Sequence, residues 1–150
     1  MSCLYVCDIT MVKIMVGAQD VKGEILNKKL AEELKQKIQQ PAWSLYVKTG
    51  YGRERPPEQK DWWYLRAAGI LRRIYLDGPI GVNKLRSYYG CRHRKGHKQA
   101  HFAVGSGKII RVILRDLEKL GYIKQVVKPK KGRVITPEGQ KFLNKVAKEC

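Results

Sequence analysis

The stretch from Asp61 to Asp77 constrains the fold more than any other part of the sequence. Asp61 is a typical N-cap residue, since its carboxylate can accept hydrogen bonds from the free amides of a first helical turn. Gly78 and Pro79 end the predicted helix, because proline disfavours the helical conformation at the residue before it. The apolar and aromatic residues share an arc of about 140°, wider than an ordinary surface stripe, namely Trp63, Tyr64, Ala67, Ile70, Leu71, Ile74 and Tyr75. The sequence therefore predicts a central helix that packs against neighbours on two sides.

The remaining arc of this helix carries Trp62, Arg66 and Arg73, with Gly69 between the two arginines. An indole and two guanidinium groups on one face can stack on bases and bind phosphates, and a glycine allows close approach to the backbone. A core helix with solvated arginines at its edge explains the same residues equally well. The helix alone leaves both interpretations open.

The positive charge is high and unevenly distributed along the chain. The net charge is +18, and residues 62–150 carry 21 Lys and Arg against five Asp and Glu, a net of +16. Residues 1–61 carry ten against eight. A basic surface of this kind indicates a polyanionic partner, with nucleic acid favoured over a membrane. A soluble protein that happens to be basic is the weaker explanation, because the charge is both extreme and localised.

Length, cysteine usage and hydropathy indicate a single cytoplasmic domain that spans residues 1–150. A chain of this length can bury a full core in a single domain. The four cysteines are scattered without a disulfide framework, which is typical of a reducing compartment. No apolar run is as long as a membrane span, and Met1–Val16 lacks the pattern of a signal peptide. Residues 1–19 carry no clear secondary-structure signal and form a lead segment of uncertain role.

A docking helix is predicted before the central helix. Asp20 is a candidate N-cap, and Pro41 ends the helix. A narrow aliphatic stripe repeats every fourth residue, which indicates packing onto a core rather than contact with RNA: Leu26, Leu30, Leu34 and Ile38. Ala42 and Trp43 then open a short helical turn.

Glycine and proline break the rest of the segment 41–60 into loop. Tyr51, Arg53 and Arg55 lie in this loop. Aromatic and arginine side chains on a loop suit single-stranded or bulged RNA, and a solvated linker explains them about as well.

Residues 91–105 are predicted to form a basic, histidine-rich loop. Four potential metal ligands occur in it, namely Cys91, His93, His97 and His101. Their spacing matches no standard zinc site and the neighbouring cations oppose a metal ion, so neither a metal nor a cofactor is expected. A solvent-facing loop that contacts RNA accounts for the same residues.

Two helices flank that loop. Residues 83–89 predict a short helix closed by Gly90, and Ser106–Leu120 predicts a strongly amphipathic one that ends at Gly121. The apolar face of the second helix comprises Ile109, Ile110, Ile113, Leu117 and Leu120, and its opposite face comprises Lys108, Arg111, Arg115 and Lys119.

A hairpin and a last helix complete the chain. Residues 122–128 and 133–136 are rich in β-formers and are joined by a basic tip that contains Lys130 and Lys131. Thr136 is the expected N-cap of the last helix, with Pro137 at its first position. The order of helix, short helix, amphipathic helix, hairpin and helix is that of a winged helix. The predicted fold is therefore mainly α, a winged-helix-like domain with a small β-hairpin wing and an added N-terminal helix.

Several motifs resemble one known family, small-subunit ribosomal protein nineteen of the archaeal and eukaryotic type. The matching residues run in the family's order from about residue 20 to the end: 61–68, 88–90, His101-Phe102, Gly105-Ser106, 111–114 with Leu117-Glu118, Gly132-Arg133 and 136–140. Pro41-Ala42-Trp43 also resembles a family motif. Gln99 replaces a usual proline and Arg115 a usual glutamine, and residues 1–19 match poorly.

The resemblance implies a ribosome-bound, non-enzymatic protein. It implies binding to 16S-type ribosomal RNA in the head of the small subunit, beside neighbouring ribosomal proteins, and a role in rRNA maturation and subunit assembly. The chain shows no paired carboxylates, no Ser/His/Asp spacing and no phosphate-binding glycine loop. Lysine richness and length favour the archaeal branch. No membrane contact and no small-molecule substrate are expected.

The predicted RNA-binding residues come from every basic segment after residue 61. They are Trp62, Arg66, Arg72, Arg73, Lys84, Arg92, Arg94, Lys95, Lys98, Lys108, Arg111, Arg115, Lys130, Lys131 and Arg133. The main alternative is a winged-helix DNA-binding transcription regulator that places the basic face of 108–119 in a groove of DNA. Against this alternative, positive charge also covers the central helix and the 91–98 loop, which is a wider surface than one groove-reading helix needs. A protein-interaction module that is basic by accident is the weakest explanation.

Overall fold

The computed structural model describes residues 17–128 and 130–149, so residues 1–16 of the predicted lead segment lie outside the described part of the chain. The elements in chain order are α1 (Gly23–Lys37), a 3-10 turn (Ala42–Leu45), α2 (Trp62–Asp77), α3 (Val82–Tyr88), β1 (Cys91–Lys95), β2 (Lys98–Ala103), α4 (Gly107–Lys119), β3 (Ile123–Val126), β4 (Gly132–Ile135) and α5 (Pro137–Lys148). The protein is mainly helical, as predicted, and has two small antiparallel hairpins where the sequence predicted one.

α2 is the centre of the packing. Its predicted apolar arc is buried apart from the half-buried Tyr75, and it contacts α1, α4 and β4, so the expected packing on two sides is confirmed. The aliphatic stripe of α1 is also buried, with Leu26, Leu30 and Leu34 fully shielded from solvent. One hydrophobic cluster includes residues of all five helices.

Two predicted caps are wrong in detail. α1 begins three residues after Asp20, whose carboxylate accepts from the Gly17 N–H at 2.8 Å instead of capping the helix. Asp61 does precede α2, but its side chain makes no capping hydrogen bond. Its carboxylate instead lies 2.9 Å from the Lys35 ammonium, so it links α2 to α1.

The hairpin β3–β4 is confirmed and is tied into the core. Its register pairs Ile123 with Ile135, both buried. The backbones of Ile80 and Arg133 exchange hydrogen bonds of 3.1 and 2.9 Å, which fix the hairpin to the segment that follows α2. Thr136 caps α5 as predicted, accepting from the Gly139 N–H at 3.2 Å.

The segment predicted as a loop at 91–105 is a second hairpin. β1 and β2 pair antiparallel, with His93 opposite His101, and Gly96 turns the chain at a φ of 66°. Both ends of the hairpin are held by α3, because Gly90 donates to the Ser87 carbonyl at 3.1 Å and Gly105 to the Arg86 carbonyl at 2.9 Å. Within the described residues, neither strand packs extensively against another helix or strand.

None of the helices in the described ranges has both the length and the apolar character that a membrane span requires.

Candidate nucleic-acid interface

An open groove of about 670 Å³ lies along the outer arc of α2. One wall is the loop of residues 49–59, another is Asn27 of α1, and the end of α3 closes the far side. Five arginines line it, namely Arg53, Arg55, Arg66, Arg72 and Arg73, against a single acidic residue, Glu58. We call this the arginine groove. Its positive charge suits a polyanion with a repeating phosphate backbone.

Arg66 is held in the groove by an aromatic ring. Its guanidinium carbon lies 4.0 Å from the centre of the Tyr89 ring. Burial lowers the pKa of Arg66 from its ordinary value and raises the pKa of Tyr89 to about 12. A stacked guanidinium gives up less conformational freedom when it binds a phosphate, because its plane is already fixed.

Gly69 has a different role from the one expected. A Cβ at this position would lie 3.1 Å from the Tyr89 hydroxyl, which occupies the space beside the helix. The glycine therefore makes room for the tyrosine that orients Arg66, and not for direct approach of a phosphate to the helix backbone.

Arg73 stacks in the same way on the neighbouring tyrosine. Its guanidinium carbon lies 4.5 Å from the centre of the Tyr88 ring. It also forms an ion pair of 2.8 Å with Asp77, and Lys84 lies 3.6 Å from the same carboxylate. Asp77 therefore neutralises part of the charge that Arg73 and Lys84 bring to this end of the groove.

Arg72 lies against the start of α1. A Cβ at Gly23 would be 2.9 Å from the Arg72 Nη1, so the guanidinium rests on the helix backbone. Its Nε is buried and has no hydrogen-bond partner among the described residues. Packing against α1 fixes this arginine at the edge of the groove.

Trp62 is placed differently from the prediction. The helical pattern put its indole on the exposed arc, but the side chain is only 8% exposed. Its indole packs edge to face on that of Trp63, with ring centroids 5.5 Å apart. Trp62 is one of the residues that line the arginine groove. The buried indole supports the wall and has little free surface on which a base could stack.

The other predicted RNA-binding residues lie on three further surfaces. Arg92, Arg94, Lys95 and Lys98 are exposed on β1–β2, Lys108, Arg111 and Arg115 are exposed on α4, and Lys130 and Lys131 are exposed at the tip of β3–β4. Lys108 lies 4.8 Å from the centre of the Trp43 ring. Arg133 is half-buried and donates to Glu118 at 3.0 Å, so much of its charge is used within the fold.

The groove also contains residues outside the predicted set. Arg53 and Arg55 were identified as loop residues suited to RNA, and the structure brings them opposite α2. Tyr88 and Tyr89 were identified as part of the predicted short helix and of a family motif. Nothing in the local sequence shows that they stack on Arg73 and Arg66.

The histidine-rich segment brings only two of its four potential metal ligands together as a pair. His93 and His101 face each other across the hairpin with ring centroids 5.8 Å apart, whereas His97 follows the turn glycine. Within residues 17–128 and 130–149, no three His, Cys, Asp or Glu side chains are close enough to hold a metal ion.

Comparison with known proteins decides the family. The sequence model described as "Ribosomal protein S19e" matches residues 17–150. The chain belongs to the ribosomal protein S19e family. Among the relatives is "Small ribosomal subunit protein eS19" of Aeropyrum pernix, 42% identical over 90% of each chain. The protein of that name from Thermoplasma acidophilum is 41% identical over 90% of this chain and 89% of its own, and the one from Oryza sativa is 46% identical over 74% and 75%.

Family membership confirms the resemblance read from the motifs and makes this a ribosomal protein rather than an enzyme. Archaeal and eukaryotic relatives match at similar identity. Identity therefore does not separate the two branches, and the archaeal assignment stays a prediction.

Proposed function

We propose that the protein is a structural component of the small ribosomal subunit, that it binds 16S-type ribosomal RNA in the subunit head next to other ribosomal proteins, and that it supports rRNA maturation and subunit assembly. On this proposal it works in the cytoplasm, bound to the ribosome. The relatives named above are all small-subunit proteins, which supports the assignment of the subunit.

The arginine groove carries the proposal. Five guanidinium groups line one cavity with one carboxylate, and two of the five are fixed by tyrosine rings. Arginine matches the phosphate group with two parallel hydrogen bonds, so preoriented arginines bind a nucleic-acid backbone at a low conformational cost. Nothing in such a site requires a particular base sequence, which is typical of contacts that position RNA rather than read it.

The surrounding charge supports a wide RNA footprint. No Asp or Glu occurs between Asp77 and Asp116, while nine Lys and Arg do. This acid-free stretch includes α3, β1–β2 and most of α4. Among the described residues, Lys84 is the only one of these nine that forms an ion pair, with Asp77, so the other eight keep their charge available for phosphates.

We further propose a winged-helix arrangement for α2, α3, α4 and β3–β4, in which β3–β4 is the wing. The chain order and the packing of β3 against α4 and of β4 against α2 support it. In a DNA-binding regulator of this type α4 would enter a groove of DNA. The relatives named above give no support to that alternative, and the arginine groove on α2 lies outside α4.

An exposed arginine of the groove provides the cleanest test. We expect Arg55→Glu to block incorporation into small subunits without changing the melting temperature, because the side chain lies on an exposed loop. Lys141→Glu on α5 is the matched control, with the same charge change at an exposed site outside the groove. Cosedimentation with small subunits at moderate salt is the measurement. Equal incorporation of the two variants would place the RNA contact elsewhere.

Arg66 and Arg73 are poorer positions for charge reversal. Arg66 is half-buried against Tyr89 and Arg73 is paired with Asp77, so a glutamate at either position also damages packing.

The affinity of the wild-type protein for rRNA fragments should fall as the salt concentration rises. In a plot of log affinity against log salt concentration, each phosphate contacted in a single strand should contribute a slope on the order of −0.7. A slope near zero would contradict phosphate-dominated binding. Accumulation of unprocessed rRNA in cells that carry only Arg55→Glu would test the maturation role.

A further inference from the structure

A second surface, distinct from the arginine groove, lies on one face of the β1–β2 hairpin. The rings of Tyr51 and His93 lie 4.5 Å apart at an angle of 49°, and those of His93 and His101 lie 5.8 Å apart at 88°. His93 and His101 are cross-strand partners, and Tyr51 reaches them from the loop before α2. We call Tyr51, His93 and His101 the aromatic cluster.

The backbone of the loop is shaped to place Tyr51 there. Gly50 forms an antiparallel bridge with Gly105 at the base of the hairpin. A Cβ at Gly52 would lie 2.7 Å from the Cys91 Sγ, so only glycine lets the loop pack against β1. The contacts of Gly50 and Gly52, the two neighbours of Tyr51 in the chain, therefore hold Tyr51 against the hairpin.

The cluster is not part of the hydrophobic core. Tyr51 is 62% exposed, His101 is also exposed and His93 is half-buried. Cross-strand ring contacts stabilise a hairpin modestly. That contribution does not require a tyrosine from a separate loop to leave most of its surface in water.

The other side chains of the hairpin supply charge around the cluster. Arg92, Arg94, Lys95 and Lys98 are all exposed, and none of them pairs with a carboxylate among the residues that the structure describes. Because strand residues alternate between faces, Arg92 and Arg94 lie on the face opposite His93, whereas Lys95, two positions beyond His93 in β1, and its cross-strand partner Lys98 lie next to the cluster. Exposed rings bordered by unpaired cations are the combination that binds unpaired nucleotides, whose bases stack while their phosphates meet the cations.

We propose that the aromatic cluster is a stacking platform for unpaired bases of RNA, with the hairpin cations bound to the adjoining phosphates. The proposal rests on the RNA-binding function proposed above and adds a ligand class, single-stranded or bulged nucleotides. A base stacks on the exposed faces of Tyr51 and His101, and His93 supports both rings from between them. The arginine groove binds the phosphate backbone, so its affinity should not differ between a nucleotide that carries a base and an abasic one.

The test compares two ligands on the full-length protein. One is a short uridine oligoribonucleotide, and the other has the same length and phosphates but abasic riboses at its central positions. We expect the wild-type protein to bind the complete oligonucleotide at least about 5-fold more tightly, the lower end of the measured effect of one stacked base. The double variant Tyr51→Ala, His101→Ala should reduce this preference to less than about 2-fold while keeping the affinity for the abasic ligand.

Two controls separate stacking from other causes. Tyr51→Phe keeps an aromatic face without the hydroxyl and should retain the preference. Tyr46→Ala removes a tyrosine that is 85% exposed on the loop side of the 3-10 turn, outside the cluster, and should also retain it. Melting curves of all variants should coincide, because the removed side chains are exposed.

The outcomes distinguish the two proposals. Equal affinity of the wild type for both ligands, or an unchanged preference in the double variant, would overturn the stacking platform and leave phosphate binding intact. Loss of the preference in Tyr46→Ala would assign stacking to a different surface. Failure of the wild type to bind either ligand would overturn RNA binding itself and the platform with it.

Discussion

The two hairpins share a design and differ in their relation to the core. Each is two-stranded and antiparallel, with basic residues near its tip. β3–β4 buries Ile123 and Ile135 and exchanges backbone hydrogen bonds with Ile80. β1–β2 buries only Ala103 and packs mainly on itself. The sequence of β3–β4 is explained by packing on the core, whereas the exposed side chains of β1–β2 are not.

The difference shows which hairpin contributes to the free energy of folding. Isolated two-stranded hairpins are marginal in water, so β1–β2 relies on its anchors at Gly90 and Gly105. Its rings and cations lie largely in solvent and add little to the free energy of folding. β3–β4 contributes mainly to the free energy of folding, except at its exposed tip.

The largest expected effect is on the buried face of β3–β4. Ile135→Ala should lower the free energy of unfolding by about 2–5 kcal/mol, from lost burial and the cavity that remains. His101→Ala in β2 is the matched change in the other hairpin and should stay within about 0.5 kcal/mol of wild type. Urea unfolding measures both. Similar losses would mean that β1–β2 is as much a part of the core as β3–β4.

The junction between the helical core and β1–β2 can be tested by measuring stability at alkaline pH. Tyr89 lies where α3 leads into β1, and burial raises its pKa from 10.0 to about 12. Between these values the unfolded chain loses the phenolic proton while the folded protein keeps it. The contribution of the Tyr89 phenol to the free energy of unfolding is therefore fully present below pH 10. Above that pH the free energy of unfolding falls by about 1 kcal/mol per pH unit until about pH 12.

Tyr89→Phe isolates this contribution. The variant should lose stability less steeply than the wild type above pH 10, and Tyr46→Phe, at an exposed position, should follow the wild type. The measurement is urea unfolding across the alkaline range. Parallel curves for all three proteins would show that the Tyr89 phenol ionises as readily in the folded protein as in the unfolded chain.

The smallest expected effect comes from a matched pair of glycines. Gly121 ends α4 at a φ of 74°, and Gly96 turns β1–β2 at 66°. Alanine at either position is strained by about 1–2 kcal/mol. Gly121→Ala should lower global stability by about that amount, while Gly96→Ala should lower it less, because β1–β2 can open without unfolding the core.

Amide hydrogen exchange resolves the two glycine variants. Faster exchange confined to β1–β2 is expected for Gly96→Ala, and faster exchange throughout the core for Gly121→Ala. Equal global destabilisation by both substitutions would show that the hairpin unfolds together with the core.

Hydrophobic periodicity accounts for the parts of the fold that were predicted. The apolar arcs of α2 and α4 and the β-formers around Ile123 and Ile135 report directly which face is buried. β1–β2 was missed because its residues alternate without an apolar face. The one local signal was Gly96 between cationic residues, which also fits an irregular loop.

The arginine groove was predicted only in part for a related reason. Periodicity on α2 places Arg66 and Arg73 on one face, but their partners Tyr88 and Tyr89 come from another helix. The same pattern misplaced Trp62, because a helical wheel does not show the other segments of the chain that bury the indole. Contacts between distant segments carry this information, and they become visible only in the folded chain.

The anchors of β1–β2 have a consequence for changes in chain length. The hairpin leaves and re-enters the helical body at hydrogen bonds to the neighbouring carbonyls of Ser87 and Arg86. Its two ends are therefore adjacent in space, and α3 and α4 keep the same fixed points whatever chain lies between them. This is the geometry of a site that accepts insertions, deletions or a grafted peptide, so β1–β2 can change in length during evolution, or by design, while the helices around it stay in place.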